Sequence, residues 1–221
     1  MASVVDICNL ALAHLGDDAR ITSISPPDGS QQAAHCQRFY PIARDGLLEM
    51  HNWRFATKRA SLALLDTDEL PVEWGFAYGY PACIKIVSVH FPDEVASAPT
   101  GAIFDATEFI SVPKAQAFTV ETLSDGTQVI FTNVENASAR FIANVTDTTK
   151  FSPLFIIGLS HLLAAYLAGP IIKGEAGMKV ARSHLEWFEK LASPRAQASD
   201  ARIGKDDSYM NFTPSSLAAR R

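Results

Sequence analysis

The sequence predicts an α+β fold in which a discontinuous α-helical bundle carries an inserted antiparallel β module and ends in an extended C-terminal tail. Three observations predict it: helical spacing of apolar residues near both ends of the 221-residue chain, short β-prone runs in the middle, and a loss of periodicity after Pro194. The predicted segments are a first bundle part (1–65), the β module (66–150), a second bundle part (151–193) and the tail (194–221).

Two helices are predicted in the first segment. The first runs from about Ser3, a favourable N-cap residue, to Leu15, and Gly16 ends it. Ser30 caps a longer second helix, in which Pro41 removes one hydrogen-bond donor and should introduce a bend. Its apolar face recurs at alternating spacings of four and three residues and comprises Cys36, Tyr40, Ala43, Leu47 and Met50.

The middle of the chain contains short β-prone runs separated by Pro, Gly, Asp and Asn. Ser124, Asp125 and Gly126 give a hairpin signal, and the sequence VENAS before Ala139 indicates a second reversal. The last three runs are therefore predicted to form a three-stranded antiparallel meander. The predicted strands lie within residues 83–91, 102–112, 116–122, 128–133 and 138–145.

Two more helices are predicted after the strands. The first, from Ser152 to Ala168, is apolar nearly throughout, and Gly169 with Pro170 should stop it. It is at the lower limit of length for a membrane span, so we expect a helix buried in the bundle. An amphipathic helix over about 175–191 follows, and its predicted inward face comprises Met178, Ala181, Leu185 and Phe188.

Composition and charge exclude several classes of protein. With 48% hydrophobic residues, 19% charged residues and 3 Cys, the chain is neither collagen-like, wholly disordered nor a disulfide scaffold. Residues 66–147 contain twelve acidic and three basic side chains, so this acidic segment repels nucleic-acid phosphates. Cys8 and Cys36 fall in apolar helical stripes, which predicts reduced core thiols, and the N-terminal residues give no secretory signal.

Residue types that carry chemistry occur here without the spacing that catalysis or metal binding needs. The sequence has no phosphate-binding glycine loop, zinc-hydrolase helix motif, serine nucleophile elbow or paired CxxC motifs, and its six histidines are scattered. His161 is predicted to be a hydrogen-bonded core imidazole. Arg44 and Asp45, which lie near His51 in the sequence, are predicted to form a pair on the helix surface. Asp17 and Asp18 are a single acidic pair, and two carboxylates are too few to indicate a cation-binding site. We predict no catalytic, cofactor or metal site.

A short aromatic and basic cluster is the nearest approach to a nucleic-acid signal. It could equally be the end of the second helix, with its two aromatic rings in the core and its cations at the helix C-terminus. We favour this structural interpretation. The cluster comprises Trp53, Arg54, Phe55, Lys58 and Arg59.

Three stretches resemble the head-to-tail adaptor proteins of tailed bacteriophages, and in particular those called tail tubular protein A in short-tailed phages. They are NLALAHLG (Asn9–Gly16), ARDGLLEMHNWRFA (Ala43–Ala56) and YGYP (Tyr78–Pro81). The resemblance implies a structural virion protein without catalytic activity, which forms a dodecameric ring beneath the portal protein and receives a tail nozzle or tail tube protein. DNA would pass through the lumen without sequence-specific binding, and no membrane would be involved.

The resemblance further implies that the C-terminal tail docks on the portal protein. The segment after Pro194 contains no stretch able to bury a face, so we expect it to become ordered along a partner. Two alternatives stay open: a tail-side stopper, completion or terminator ring, and a small hydrolase using His51 or His161. The expected location is the virion neck, after assembly in the host cytoplasm. The candidate docking residues are Arg195, Arg202, Tyr209, Met210 and Phe212.

Overall fold

The computed structural model describes residues 2–92 and 115–202 and has the α+β fold that the sequence predicts. The chain divides into two compact units. The β unit comprises residues 38–150 and contains both sheets, whereas the helical unit comprises residues 2–37 together with the chain from 151 onward. The helical unit is therefore discontinuous in sequence.

The first helix, α1 (Val4–His14), begins and ends where the sequence predicts. The backbone N–H of Asp6 donates to Ser3 Oγ at 3.1 Å, and the backbone N–H of Ser3 donates to Asp6 Oδ2 at 2.8 Å. This reciprocal capping box satisfies two N–H groups that the helix cannot bond internally. Beyond the helix, Gly16 adopts a φ of +72°, which favours glycine.

The second helix, α2 (Gln31–Met50), is capped by Ser30, whose Oγ accepts a hydrogen bond from the backbone N–H of Ala33 at 3.1 Å. It runs through Pro41 without interruption, and the bend expected there stays a prediction. The predicted apolar face is buried except for Met50, which is 52% exposed because the helix ends at that residue.

Among the residues of the β unit that the structure describes, six strands form two three-stranded antiparallel sheets. The first sheet has the order β1-β6-β3 and the second the order β2-β5-β4. The first of these strands begins at Thr57, before the predicted start of the β module at residue 66. The first two strands were not predicted, because TKRAS has no apolar alternation and FAYG is only four residues long. The strands are β1 (Thr57–Ser61), β2 (Phe76–Gly79), β3 (Lys85–His90), β4 (Phe118–Thr122), β5 (Gln128–Thr132) and β6 (Ser138–Ile142).

The predicted meander is half correct. Strands β4 and β5 form the expected hairpin, but β6 leaves β5 and pairs with β1 and β3 in the other sheet. The cause is the corner between β5 and β6. There the hydroxyl of buried Tyr78 donates to Val134 O at 2.8 Å and accepts from the backbone N–H of Ala137 at 3.2 Å. The predicted strand at 102–112 lies outside the described residues.

Helix α3 (Pro153–Ile172) forms the centre of the helical unit, and ten of its residues are buried. Its N-cap is Ser152, as predicted, but the helix continues through Pro170. Pro170 lacks the N–H of one internal hydrogen bond but does not stop the helix, which ends at Lys173, whose φ is +61°. With mean hydropathy 1.9, α3 is long and apolar enough to cross a membrane, but 56% of its apolar window is buried inside the fold.

Helix α4 (Gly174–Trp187) packs antiparallel to α3 through small residues. A Cβ atom at Gly177 would lie 2.8 Å from the backbone oxygen of Ala168, and the Phe188 ring lies 3.6 Å from the Cβ position of Gly158. Of the predicted inward face, Phe188 is buried as expected. Met178 and Leu185 are exposed instead, so that part of the prediction is wrong.

Candidate partner-binding surfaces

The segment after α4 begins with a folded helix, which corrects the prediction of an extended tail from Pro194. A π-helical turn (Phe188–Ala192) leads into α5 (Ser193–Arg202). Buried Ala196 and Asp200 lie four residues apart on α5, which packs against α3. Apolar periodicity does not indicate α5 in the sequence, because the buried face of this helix consists of small and polar residues rather than large apolar ones.

The structure separates the predicted docking residues into two groups. Arg195 is exposed on the first turn of α5, and Arg202 is the last residue of that helix. Tyr209, Met210 and Phe212 lie outside the described residues. The structure therefore does not bring the five residues together as one described site.

The helical unit exposes large apolar side chains on ordered helices. On α4, Met178 is 65% exposed and Leu185, seven residues later, is 39% exposed. Since residues seven apart lie on one side of a helix, the two form an apolar stripe. Ile157 and Tyr166 of α3 are also more than a third exposed. Exposed apolar groups on rigid elements are typical of surfaces that bind other proteins.

The β unit exposes an apolar tip on a loop that hydrogen bonds hold at two points. We call residues 66–75 the acidic loop and its exposed residues Leu70 and Val72 the apolar tip. Immediately before the tip, Glu69 accepts hydrogen bonds from the backbone N–H and hydroxyl of Ser124 in the β4–β5 turn. At the C-terminal end of the loop, the backbone N–H of Gly75 donates to Asn133 Oδ1 at 2.6 Å. The loop is therefore preorganised.

Three histidines that are far apart in sequence meet in the helical unit. The ring of His161 lies between His14, at a centroid distance of 3.9 Å, and Trp187, at 3.7 Å. His161 Nδ1 and His184 Nδ1 are 3.2 Å apart, and His184 Nε2 lies 3.2 Å from the carbonyl oxygen of His14. His161 is thus a hydrogen-bonded imidazole, as predicted, although the sequence gave no sign that the three residues converge.

The hydrogen bonds specify how these rings carry their protons. The carbonyl of His14 can only accept, so His184 donates from Nε2. In the neutral form of His184 its Nδ1 accepts, and His161 then donates from its own Nδ1. Partial burial, followed by the nearby His14 and His184, lowers the pKa of His161 to about 4. Burial likewise lowers the pKa of His14. Both rings are consequently neutral at pH 7.

The lowered pKa values predict a loss of stability in mild acid. The unfolded chain takes up a proton on each histidine at a pKa of 6.5, whereas the folded state resists protonation at His161 down to about 4. Folding is thus favoured fully above the unfolded pKa and less as the pH falls below it. We expect the free energy of unfolding to fall by about 1–2 kcal/mol between about pH 7.5 and about pH 5, after allowing for solvent screening of half-buried rings.

Urea denaturation at the two pH values measures this change. The control is His161→Phe, which keeps an aromatic ring between His14 and Trp187 but has no titrating group. This variant should be less stable at neutral pH, because it loses a hydrogen bond, and its stability should vary less with pH. An equal pH dependence in wild type and variant would contradict the assignment to His161.

A serine lies next to this cluster without the environment of a nucleophile. His14 Nε2 is 3.1 Å from Ser160 Oγ, but Ser160 is completely buried and its hydroxyl donates to Ile157 O at 2.8 Å. An activated serine needs access to substrate and a base that can accept its proton. The geometry therefore gives no support to a hydrolase built on His161 and its neighbours.

The other candidate residues take structural positions. Arg44 forms an ion pair with Asp45 at 2.7 Å, but Arg44 is buried, so the pair does not lie on the helix surface as predicted. In the helical unit, Asp17 accepts hydrogen bonds from the backbone of Ala19 and the side chain of Gln32. It lines an open depression of about 520 Å³. Within residues 2–92 and 115–202, no group of three or more potential ligands is arranged to hold a metal ion.

Only Trp53 of the aromatic and basic cluster has the predicted core position: α2 ends before the cluster, at Met50, and Lys58 and Arg59 lie on β1 instead of at the helix C-terminus. Trp53 is completely buried, and its indole Nε1–H donates to the carbonyl oxygen of Leu47 at 2.8 Å. Arg54, Lys58 and Arg59 are exposed. The tryptophan is therefore a core residue and does not present its ring to a nucleic-acid base.

No protein-family model matches the chain, and no curated protein matches it.

Proposed function

We propose that this chain is a structural virion protein that forms a ring adaptor between the portal vertex and the tail of a bacteriophage. The ring, with twelve copies, would bind the portal protein on one side and a tail nozzle or tail tube protein on the other. DNA would pass through its lumen without sequence-specific contacts. The observation that carries the proposal is the presence of exposed apolar side chains on ordered elements, the α4 stripe and the apolar tip, as in a protein that works by binding other proteins.

The residues on which the phage resemblance rests support this proposal through the fold. The side chain of Asn9 accepts from the backbone N–H of Ile21 at 2.9 Å and donates to its carbonyl oxygen at 3.1 Å. Trp53 and Tyr78, from the other two stretches, are buried and hydrogen-bonded to the backbone. Each stretch thus contributes a side chain that specifies local structure, which is what a shared fold requires.

Electron microscopy of the purified protein, alone and mixed with the portal ring encoded near it, tests the proposal. We expect a small species alone and a new ring of density on the tail-facing end of the portal. Closed rings of the protein alone, with no association to the portal, would favour a tail-side stopper, completion or terminator ring. A monomer under both conditions would contradict the adaptor role and return attention to an enzyme.

A truncation tests the part of the chain that docks on the portal. Because α5 buries Ala196 and Asp200, the deletion should begin after Arg202 and remove residues 203–221. We expect binding to the portal ring to weaken by about tenfold or more, because the candidate anchors among these residues are lost, which corresponds to at least about 1.4 kcal/mol. Surface plasmon resonance on immobilised portal rings measures the affinity.

A matched variant separates the anchors from the length of the segment. The substitutions Tyr209→Ala, Met210→Ala and Phe212→Ala, made together in the full chain, should weaken binding as the deletion does. Thermal unfolding should be unchanged in both. Portal binding at wild-type affinity after the deletion would exclude a docking role for this segment.

A further inference from the structure

Two cysteines from different helices meet in the core of the helical unit. Cys8 of α1 and Cys36 of α2 are completely buried free thiols, and their side chains form a hydrogen bond with each other. On each helix an alanine three residues away, Ala11 or Ala33, is also completely buried. Since residues three apart lie on one side of a helix, each cysteine belongs to the buried face of its helix. The two thiols are therefore neighbours inside the fold.

The hydrogen bond makes these two thiols chemically different. Its donor is Cys8, and the bond to Cys36, followed by burial, raises the pKa of the Cys8 thiol. The same bond lowers the pKa of the Cys36 thiol, against the opposing effect of burial. Because the thiolate is the form of cysteine that reacts with oxidants, Cys36 is the more reactive sulfur and Cys8 keeps its proton.

Cys83, the third cysteine of the chain, lies apart from this pair. It belongs to the β unit, where its side chain forms a hydrogen bond with Tyr80. Burial raises the pKa of the Cys83 thiol, so this residue is protonated at neutral pH. Cys83 can therefore be replaced without touching the thiol pair of the helical unit.

We propose that Cys8 and Cys36 form a modification site at which hydrogen peroxide converts the two thiols into a disulfide bond that joins α1 to α2. The Cys36 sulfur attacks one peroxide oxygen, the O–O bond breaks, and the departing hydroxide takes up the thiol proton to give water and a sulfenic acid. The Cys8 sulfur then attacks the Cys36 sulfur, the S–O bond breaks, and the Cys8 proton leaves in a second water molecule. The two thiols are oxidised by two electrons, and the peroxide is reduced to water.

The contact between the two sulfur atoms determines the product of this oxidation. A sulfenic acid at Cys36 has a partner thiol beside it, so the reaction ends at the disulfide instead of continuing to sulfinic acid. A covalent link between α1 and α2 restricts the unfolded chain and so stabilises the folded one. The helical unit would therefore gain stability on transfer from a reducing to an oxidising compartment. This site is independent of the proposed ring.

Peptide mapping of the oxidised protein tests the site. The full chain carrying Cys83→Ala is treated with hydrogen peroxide in its folded state, the remaining thiols are blocked in denaturant, and the protein is digested with trypsin. Cleavage after Arg20 separates Cys8 from Cys36, so only a disulfide can join the two peptides. We expect a joined pair that a reductant separates, and a thermal unfolding temperature about 5–10 °C above that of the reduced protein.

A matched pair of serine variants, made in the same Cys83→Ala chain, tests which sulfur reacts with the peroxide. Cys8→Ser keeps an O–H donor beside Cys36, so a sulfenic acid should accumulate there and react with dimedone. Cys36→Ser leaves only the thiol with the raised pKa, and it should take up about tenfold less dimedone. The peptide mapping uses both native cysteines, so it decides the disulfide even where a serine in the core prevents folding.

Two results of the peptide mapping would overturn the proposed site. One is that Cys8 and Cys36 stay reduced, or are oxidised separately to sulfinic acids. The other is a disulfide that lowers the thermal unfolding temperature, since the bond would then be incompatible with the native packing of α1 and α2. Equal dimedone labelling of the two serine variants would overturn the order of the reaction, with Cys36 reacting first.

Discussion

Tyr78→Phe is expected to lower the free energy of unfolding by about 2–4 kcal/mol, although it removes a single oxygen atom. The hydroxyl of Tyr78 bonds both Val134 O and the backbone N–H of Ala137, and both residues are buried. Phenylalanine would leave a carbonyl and an N–H group in the core without a partner. Urea denaturation measures the loss.

Hydrogen exchange locates the effect within the β unit. The Ala137 amide should exchange faster in Tyr78→Phe, because its hydrogen bond is gone. The matched control is Tyr80→Phe, because Tyr80 is only partly buried and its side chain forms a hydrogen bond with the side chain of Cys83. Burial raises the pKa of Tyr80 to about 12, so the hydroxyl is protonated at neutral pH. This control should cost less than about 1 kcal/mol. Equal losses of unfolding free energy in the two variants would contradict the role of the Tyr78 hydroxyl in stabilising the corner between β5 and β6.

Gly177→Ala is expected to lower the free energy of unfolding by about 2–3 kcal/mol. Alanine normally stabilises a helix relative to glycine, so the sign of this effect is the informative part. At Gly177 the added Cβ would lie 2.8 Å from the carbonyl oxygen of Ala168, and a backbone oxygen cannot rotate away as a flexible side chain can. Helices α3 and α4 must therefore move apart.

A glycine of another helix provides the opposite expectation. Nothing lies within 4 Å of a Cβ atom built on Gly46 of α2, and no proline follows it, so Gly46→Ala should raise the free energy of unfolding by about 0.5–1 kcal/mol. Thermal and urea unfolding of both variants measure the difference. If both substitutions stabilised the protein, the close approach of α3 and α4 at Gly177 would be wrong.

The helices could be predicted from sequence because their determinants are local. Ser3, Ser30 and Ser152 each cap a helix through a neighbour three residues away, so their signals lie within one turn. The same holds for the β4–β5 hairpin, whose turn contains Gly126 with a φ of +87°. Local chemistry is readable without knowledge of the tertiary structure.

The strand pairing of β6 and the inward face of α4 depended on distant residues and were predicted wrongly. Strand β6 joins the first sheet at a corner fixed by Tyr78, which lies more than fifty residues earlier. Helix α4 buries Gly177 instead of Met178, because close packing on α3 favours the smallest side chain over the most apolar one. Periodicity identifies an apolar face but not the element that covers it.

The candidate surfaces were only partly accessible to sequence reasoning. The excess of acidic residues between 66 and 147 was visible, but the arrangement of the acidic loop depends on Ser124 and Asn133, which contact it from more than fifty residues away. The convergence of His14, His161 and His184 likewise requires three helices to pack. Such sites are created by tertiary contacts, and no spacing in the sequence records them.

The π-helical turn between α4 and α5 determines which side chains of α5 face α3. A π turn holds one residue more than an α turn, and each residue of an α-helix advances the chain by about 100°. If the same residues formed a regular α-helix instead, α5 would be rotated by about 100° and Arg195 would lie where Ala196 now faces α3. One extra residue in the backbone thus decides that the face of α5 packed on α3 is small, and that Arg195 points to solvent.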